Sequence, residues 1–113
     1  MNSKKIEDLK SLLRSKNSLT DTEKELEIEL ELREMIMSCL IYGGDIYTSV
    51  CINMVSDYYH KPYADKYIDL LGEEKVKEIY NDQKNYFETK CKVNYNVYTD
   101  YEGCTYNSLV EEE

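Results

Sequence analysis

Residues Glu23 to Met37 read EKELEIELELREMIM, a stretch containing a run, Glu25 to Leu32, in which Glu and an aliphatic residue alternate strictly. Alternation is the period of a strand. The residue types oppose that period, because Glu, Leu and Met favour helices and Glu is depleted in strands. Just upstream, Thr20-Asp21-Thr22-Glu23 has the form of a capping box, with Thr20 capping the first turn and Glu23 reaching back to it. The segment 21–42 is therefore predicted to be helical. Wound at about 100° per residue, it puts Leu26, Leu30, Met37, Leu40 and Ile41 on one side and Ile28, Leu32, Met35, Ile36 and Cys39 on the other. A helix that is apolar on two sides is central in its domain or shared with a second chain. Its carboxylates divide between two gaps, Glu27, Glu31 and Glu34 in one, Glu25 and Glu29 with Arg33 in the other.

The flanking segments supply the remaining elements. Ile6, Leu9, Leu12 and Leu13 keep helical spacing, which predicts a short amphipathic helix over 4–16 with Lys and Arg outside. Gly43-Gly44 ends the long helix, and Asp45 is a suitable cap for a following one. Ile46, Val50, Met54 and Tyr58 recur every fourth residue, as do Tyr47, Cys51, Val55 and Tyr59, so a buried helix is expected over 46–60. Pro62 can open a further helix over 63–71, which Gly72 stops. Glu73 and Glu74 then begin a helix over 73–90 whose end is rich in Lys, an order that suits the helix dipole. Beyond it the period changes: Val93, Tyr95 and Val97 alternate with polar residues, and Asp100-Tyr101-Glu102-Gly103 reads as a turn. A hairpin over 92–109 follows, with Cys104 expected opposite Thr99, leaving an acidic tail at 110–113. The predicted fold is mainly α, or α+β once the hairpin forms: one compact domain over 1–113, built of four to five helices and a small C-terminal β-hairpin.

With 113 residues the chain is long enough for one ordinary core. No run nears the roughly 18 apolar residues of a membrane span, and the charged N-terminus lacks a signal-peptide core. The expectation is a soluble, intracellular, cytoplasmic protein without a membrane partner. Cys39, Cys51, Cys91 and Cys104 show no CxxC pairing or zinc spacing and are expected to behave as small hydrophobes. Net charge is −9, and it is unevenly spread. Residues 1–20 carry five bases against two acids, residues 21–60 nine acids against two bases, and residues 93–113 five acids with no base. Direct DNA or RNA binding is disfavoured by that distribution.

Catalytic signals are sparse. The single His60 could pair with Asp57 or Cys51, yet a surface His at a helix end satisfies the same pattern. Glu27 with Glu31, and Asp65 with Asp69, lie one turn apart and could share a divalent cation, but no second ligand pair accompanies them. No catalytic residue, resident metal or cofactor is assigned, and no enzyme activity is expected. The surface is more informative. Six Glu between residues 23 and 34 space their charges at about 3 Å of helix axis, against about 1.7 Å per phosphate in a duplex. Because they splay around the helix, they need a second acidic element to imitate nucleic acid. A basic first helix folding back would partly neutralise them.

Twelve Tyr with one Phe and no Trp exceed what an inward face holds. Exposed Tyr beside carboxylates suits protein contacts, while an AT-rich coding sequence would also raise Tyr, Asn, Lys and Ile. The candidate partner-binding residues are Glu27, Glu31, Glu34, Tyr58, Tyr59, Tyr63, Tyr98, Asp100, Tyr101 and Glu102. In composition the chain is similar to phage-borne inhibitors of host defence, among them anti-CRISPR proteins and nucleic-acid mimics. That resemblance implies a small acidic inhibitor occupying a basic surface of a partner protein, a nucleic-acid-binding surface included. The alternatives are a homodimer built across helix 21–42 with a merely solvated acidic surface, and a carboxylate-based metal-dependent enzyme centred on Asp57, His60, Asp65 and Asp69.

Overall fold

The structure is a computed structural model and describes residues 1–48, 50–52 and 60–112. Among these the chain forms α1 (Ser3–Arg14), α2 (Asp21–Ile41), β1 (Val50–Ile52), β2 (His60–Pro62), α3 (Tyr63–Leu71), α4 (Glu73–Lys90), β3 (Cys91–Thr99) and β4 (Thr105–Glu111). The fold is mainly α with a small C-terminal hairpin. No helix among the described residues is long and apolar enough to cross a membrane.

The capping box forms as the residue types require: Glu23 N–H donates to the Thr20 hydroxyl, and Thr20 N–H donates to the Glu23 carboxylate. At the other end Gly44 N–H reaches the Cys39 carbonyl and Gly43 N–H the Leu40 carbonyl. This is a Schellman motif, and it needs the left-handed backbone that Gly43 adopts at φ +80°. Between these ends α2 is the central helix. Leu32, Ile36 and Cys39 join Ile46, Ala64, Tyr67, Val76 and Ile79 in the main core, with Ile28 and Met35 packed alongside. Leu30 and Leu26 turn to the other side and pack with Ile6, Leu9 and Leu13 of α1. Full burial of aliphatic side chains of this size contributes about 1.5–3 kcal/mol each. Both apolar sides of α2 are thus covered within the chain, which accounts for its two-sided pattern without a second copy. Leu40 departs from the expected division and packs on the main core.

The helix expected over 46–60 is not formed in the described residues. Val50–Ile52 and His60–Pro62 instead pair antiparallel, with Cys51 opposite Lys61. Two causes act together. A repeat of four is also twice the strand period, and Ile46, Thr48, Val50 and Ile52 are all β-branched. The carboxylate of Asp45 also satisfies the N–H groups of Tyr47 and Thr48 and the Thr48 hydroxyl, closing a tight turn rather than opening a helix. Ile46, fully buried, gives its carbonyl to Ala64 N–H at 2.9 Å, tying this turn to the start of α3.

The hairpin is longer than expected and differs in register. Thr99 lies opposite Thr105 and Tyr98 opposite Tyr106, so Cys104 meets Asp100 rather than Thr99. Cys91 pairs with Glu111, far along the ladder from Cys104. Between Asn94 and Tyr98 the register shifts: Asn94 faces Ser108, so three residues of β3 span one of β4. Asn96, in the middle, takes φ +54°, a left-handed conformation that Asn tolerates better than most residues.

Candidate protein-binding surface

The acidic helix face is largely engaged by the chain itself. Lys10 of α1 pairs with Glu34 at 2.8 Å, and Lys16 pairs with Glu23. Lys66 of α3 pairs with Glu31 at 2.9 Å, and the Tyr67 hydroxyl donates to the same carboxylate oxygen at 3.1 Å. The Lys66 hydrogen bond, against an opposing burial effect and with help from Tyr67, holds the Glu31 carboxyl below its usual range. Glu29 pairs with Arg33 at 3.6 Å. Glu27 lines an open groove of about 350 Å³ with Lys10, Arg14 and Glu31, where bases and acids are balanced. Glu27, Glu31 and Glu34 therefore lie on one side of α2, but facing cations from α1 and α3 divide up their field.

Tyr63 begins α3 and packs, half-buried, against the main core. Tyr58, Tyr59 and Asp57 lie outside the described residues. Asp65 is half-buried and Asp69 exposed on α3. Among the described residues no group of three or more His, Cys, Asp or Glu side chains is placed to hold a metal ion. The thiol of Cys91 is pushed up by burial, so it stays protonated rather than becoming a nucleophile.

Tyr98, Asp100, Tyr101 and Glu102 come together at the hairpin tip. From residue 107 onward the odd-numbered β4 residues face the helices: Leu109 lines an open groove with Ile6, Met37 and Ile41, and Glu111 accepts from Ser3 N–H at 3.0 Å and from the Tyr86 hydroxyl. Asn107, on the same side, donates to the Ile41 carbonyl at 3.1 Å. Tyr106 and Val110 consequently face solvent, Tyr106 directly beside Tyr98. Past the bulge both faces of the ribbon are open. Tyr95 is 71% exposed, Val97 58%, Tyr98 58% and Tyr101 96%. Apolar and aromatic side chains on both faces of a two-stranded ribbon have no structural role in the core, and such patches mark contact sites.

The turn itself is ordered by Asp100. Its Oδ1 accepts from Glu102 N–H at 2.9 Å and Cys104 N–H at 3.0 Å, and its Oδ2 accepts from the Tyr106 hydroxyl at 2.9 Å. The Tyr106 bond, followed by the Cys104 bond, keeps the Asp100 carboxyl below its ordinary range and therefore ionised near neutrality. Tyr95, Val97 and Val110 belong to this surface and were not anticipated. Strict alternation across 93–98 reads as one inward and one outward face, and only Asn96, a residue tolerant of left-handed backbone, signals that the alternation breaks.

One polar feature of the interior was also missed. Arg33, 9% exposed, donates to Asp82 at 2.7 Å and to the fully buried Gln83 at 3.0 Å, and Gln83 donates in turn to the Met1 carbonyl at 2.7 Å. No protein-family model, curated protein or solved structure matches the chain.

Proposed function

We propose that this protein is a non-catalytic interaction protein that occupies a basic surface of a partner protein and thereby blocks it, with the C-terminal hairpin as the principal contact. The carrying observation is the hairpin itself: a ribbon with Tyr95, Val97, Tyr98 and Tyr101 exposed, and with Asp100, Glu102 and Glu112 but no base beyond Lys92. Tyr supplies contact area at low entropic cost, and the uniform sign of charge steers a basic partner toward it. The engagement of Glu31 and Glu34 by Lys66 and Lys10 moves the weight of the reading from α2 to the hairpin. A nucleic-acid-binding surface is the natural target of such a charge pattern, which agrees with the compositional likeness to phage-borne inhibitors.

The test is a binding measurement with the partner recovered from the host by affinity capture. Affinity is expected to fall steeply as salt rises, to fall again in a Glu102→Lys, Glu112→Lys variant, and the partner's own nucleic-acid binding is expected to be competed. Affinity unchanged between low and high salt would sink this reading.

A further inference from the structure

We propose that the hairpin tip is an arginine-reading site: the outer face of the Tyr98 ring receives a guanidinium group of the partner, whose edge donates to the exposed carboxylate of Glu102. This rests on the basic-partner reading and narrows it to one side chain.

The geometry is prepared in advance. Tyr98 and Tyr106 stack with centroids 5.1 Å apart and rings inclined by 21°. The Tyr106 hydroxyl is bonded to Asp100, so one ring is held by the turn and the other is held by the first. Tyr98 remains 58% exposed, which leaves the face away from Tyr106 open. The Asp100 carboxylate is taken up by the turn itself, accepting from Glu102 N–H, Cys104 N–H and the Tyr106 hydroxyl, so it fixes the ring pair rather than meeting the incoming group. Glu102 beside it is exposed.

Charge complementarity selects the occupant. Two other tyrosines already carry a cation from their own chain: Lys66 sits 5.3 Å from the Tyr67 ring centroid and Lys84 5.9 Å from that of Tyr80. The hairpin beyond Lys92 holds no base, so the Tyr98 ring and the exposed Glu102 carboxylate await a cation from outside. Arginine fits better than lysine. Its planar guanidinium stacks on an aromatic face while its edge donates to a carboxylate, whereas an ammonium is compact and strongly hydrated. Arginine is also the residue that phosphate-binding surfaces use for bidentate contacts.

The experiment compares two fluorescent probes of equal charge, a peptide of five alternating Arg and Gly residues and its Lys counterpart, titrated with the full chain at low salt. The arginine peptide is expected to bind at least about threefold more tightly, the scale of an exposed cation–π contact. Tyr98→Leu is expected to bring it down to the lysine level, and Glu102→Gln to weaken it without disturbing the turn, whose bonds use only the Glu102 backbone. Far-UV spectra of the variants check that the hairpin persists. Equal binding of both peptides overturns the arginine site and leaves the basic-partner reading standing. Binding of neither overturns both. An arginine preference that survives Tyr98→Leu overturns the assignment to Tyr98.

Discussion

The side-chain carbonyl of Asn107 accepts the backbone N–H of Asn96 at 3.1 Å, at the point where the hairpin register breaks. The amide nitrogen of the same side chain donates to Ile41, the last residue of α2. One residue thus fixes the bulge and fastens the ribbon to the central helix. We predict that Asn107→Ala costs about 1–2 kcal/mol, read from urea unfolding. Hydrogen exchange should accelerate most at residues 94–98. Uniform exchange across the chain would contradict the clamp.

Arg33 and Asp82 should respond unequally to substitution. Arg33 is buried and feeds Gln83, whereas the Asp82 side chain is 60% exposed. Arg33→Ala strips Gln83 of a partner inside the core and is expected to cost about 2–3 kcal/mol. Asp82→Asn, in a screened setting, should cost under about 1 kcal/mol. Urea midpoints of the two variants decide, and equal losses would mean that the burial of Arg33 does not matter.

Gly43 is the residue at which α2 must turn left-handed. A methyl group there meets nothing within 4 Å, so the cost of Gly43→Ala comes from the backbone alone. That cost should be about 1 kcal/mol, measured by thermal or urea unfolding. Gly43→Asn should lose less, since Asn tolerates this conformation.

Stability should fall on acidification through the Glu31 and Asp82 carboxyls. Glu31 lies below its ordinary 4.5, chiefly through Lys66, and Asp82 below 3.8, chiefly through Arg33. Between each folded value and the higher unfolded one, the unfolded chain binds more protons, so stability is present above the unfolded value and is lost as pH falls through the folded one. Because both groups are partly exposed, the effect is modest. Urea midpoints from pH 6 down to pH 3 (roughly the window set by these ordinary values) should decline, and the decline should flatten in Glu31→Gln.

Alkali acts through Tyr67. Burial, reinforced by the neighbouring Glu31, raises its hydroxyl far above the ordinary 10.0. A raised folded value means that its contribution to stability is complete below the unfolded value and is lost as pH rises beyond it. The Tyr67 phenolate absorbance should therefore develop only with unfolding in alkali. Tyr67→Phe should remove one late-titrating hydroxyl.

The helical elements were legible because their signals are local. Thr20 and Glu23 cap α2 through bonds spanning three residues, Gly43 and Gly72 end helices by backbone freedom, and α3 and α4 run as their punctuation predicts. The two-sided burial of α2 followed from its spacing alone. The segment after Asp45 was misread because a four-residue repeat fits both periods, and long-range bonds such as Ala64 N–H to Ile46 chose between them.

At the candidate site, the tyrosines and acids of 98–102 were visible in the sequence as a turn rich in contact residues. Their arrangement was not. Only the folded chain shows that Lys10 and Lys66 engage Glu34 and Glu31, since ion pairs between helices depend on packing that no local pattern encodes. Only the fold sets the bulge at Asn96 that turns Tyr95 and Val97 outward, because Asn107 must first be brought to both Asn96 and Ile41. Local sequence by itself determined the helices, the caps and the charge carried by each segment. Tertiary structure decided which charges are already paired and which aromatic faces remain open, because both depend on residues distant in the chain meeting in space.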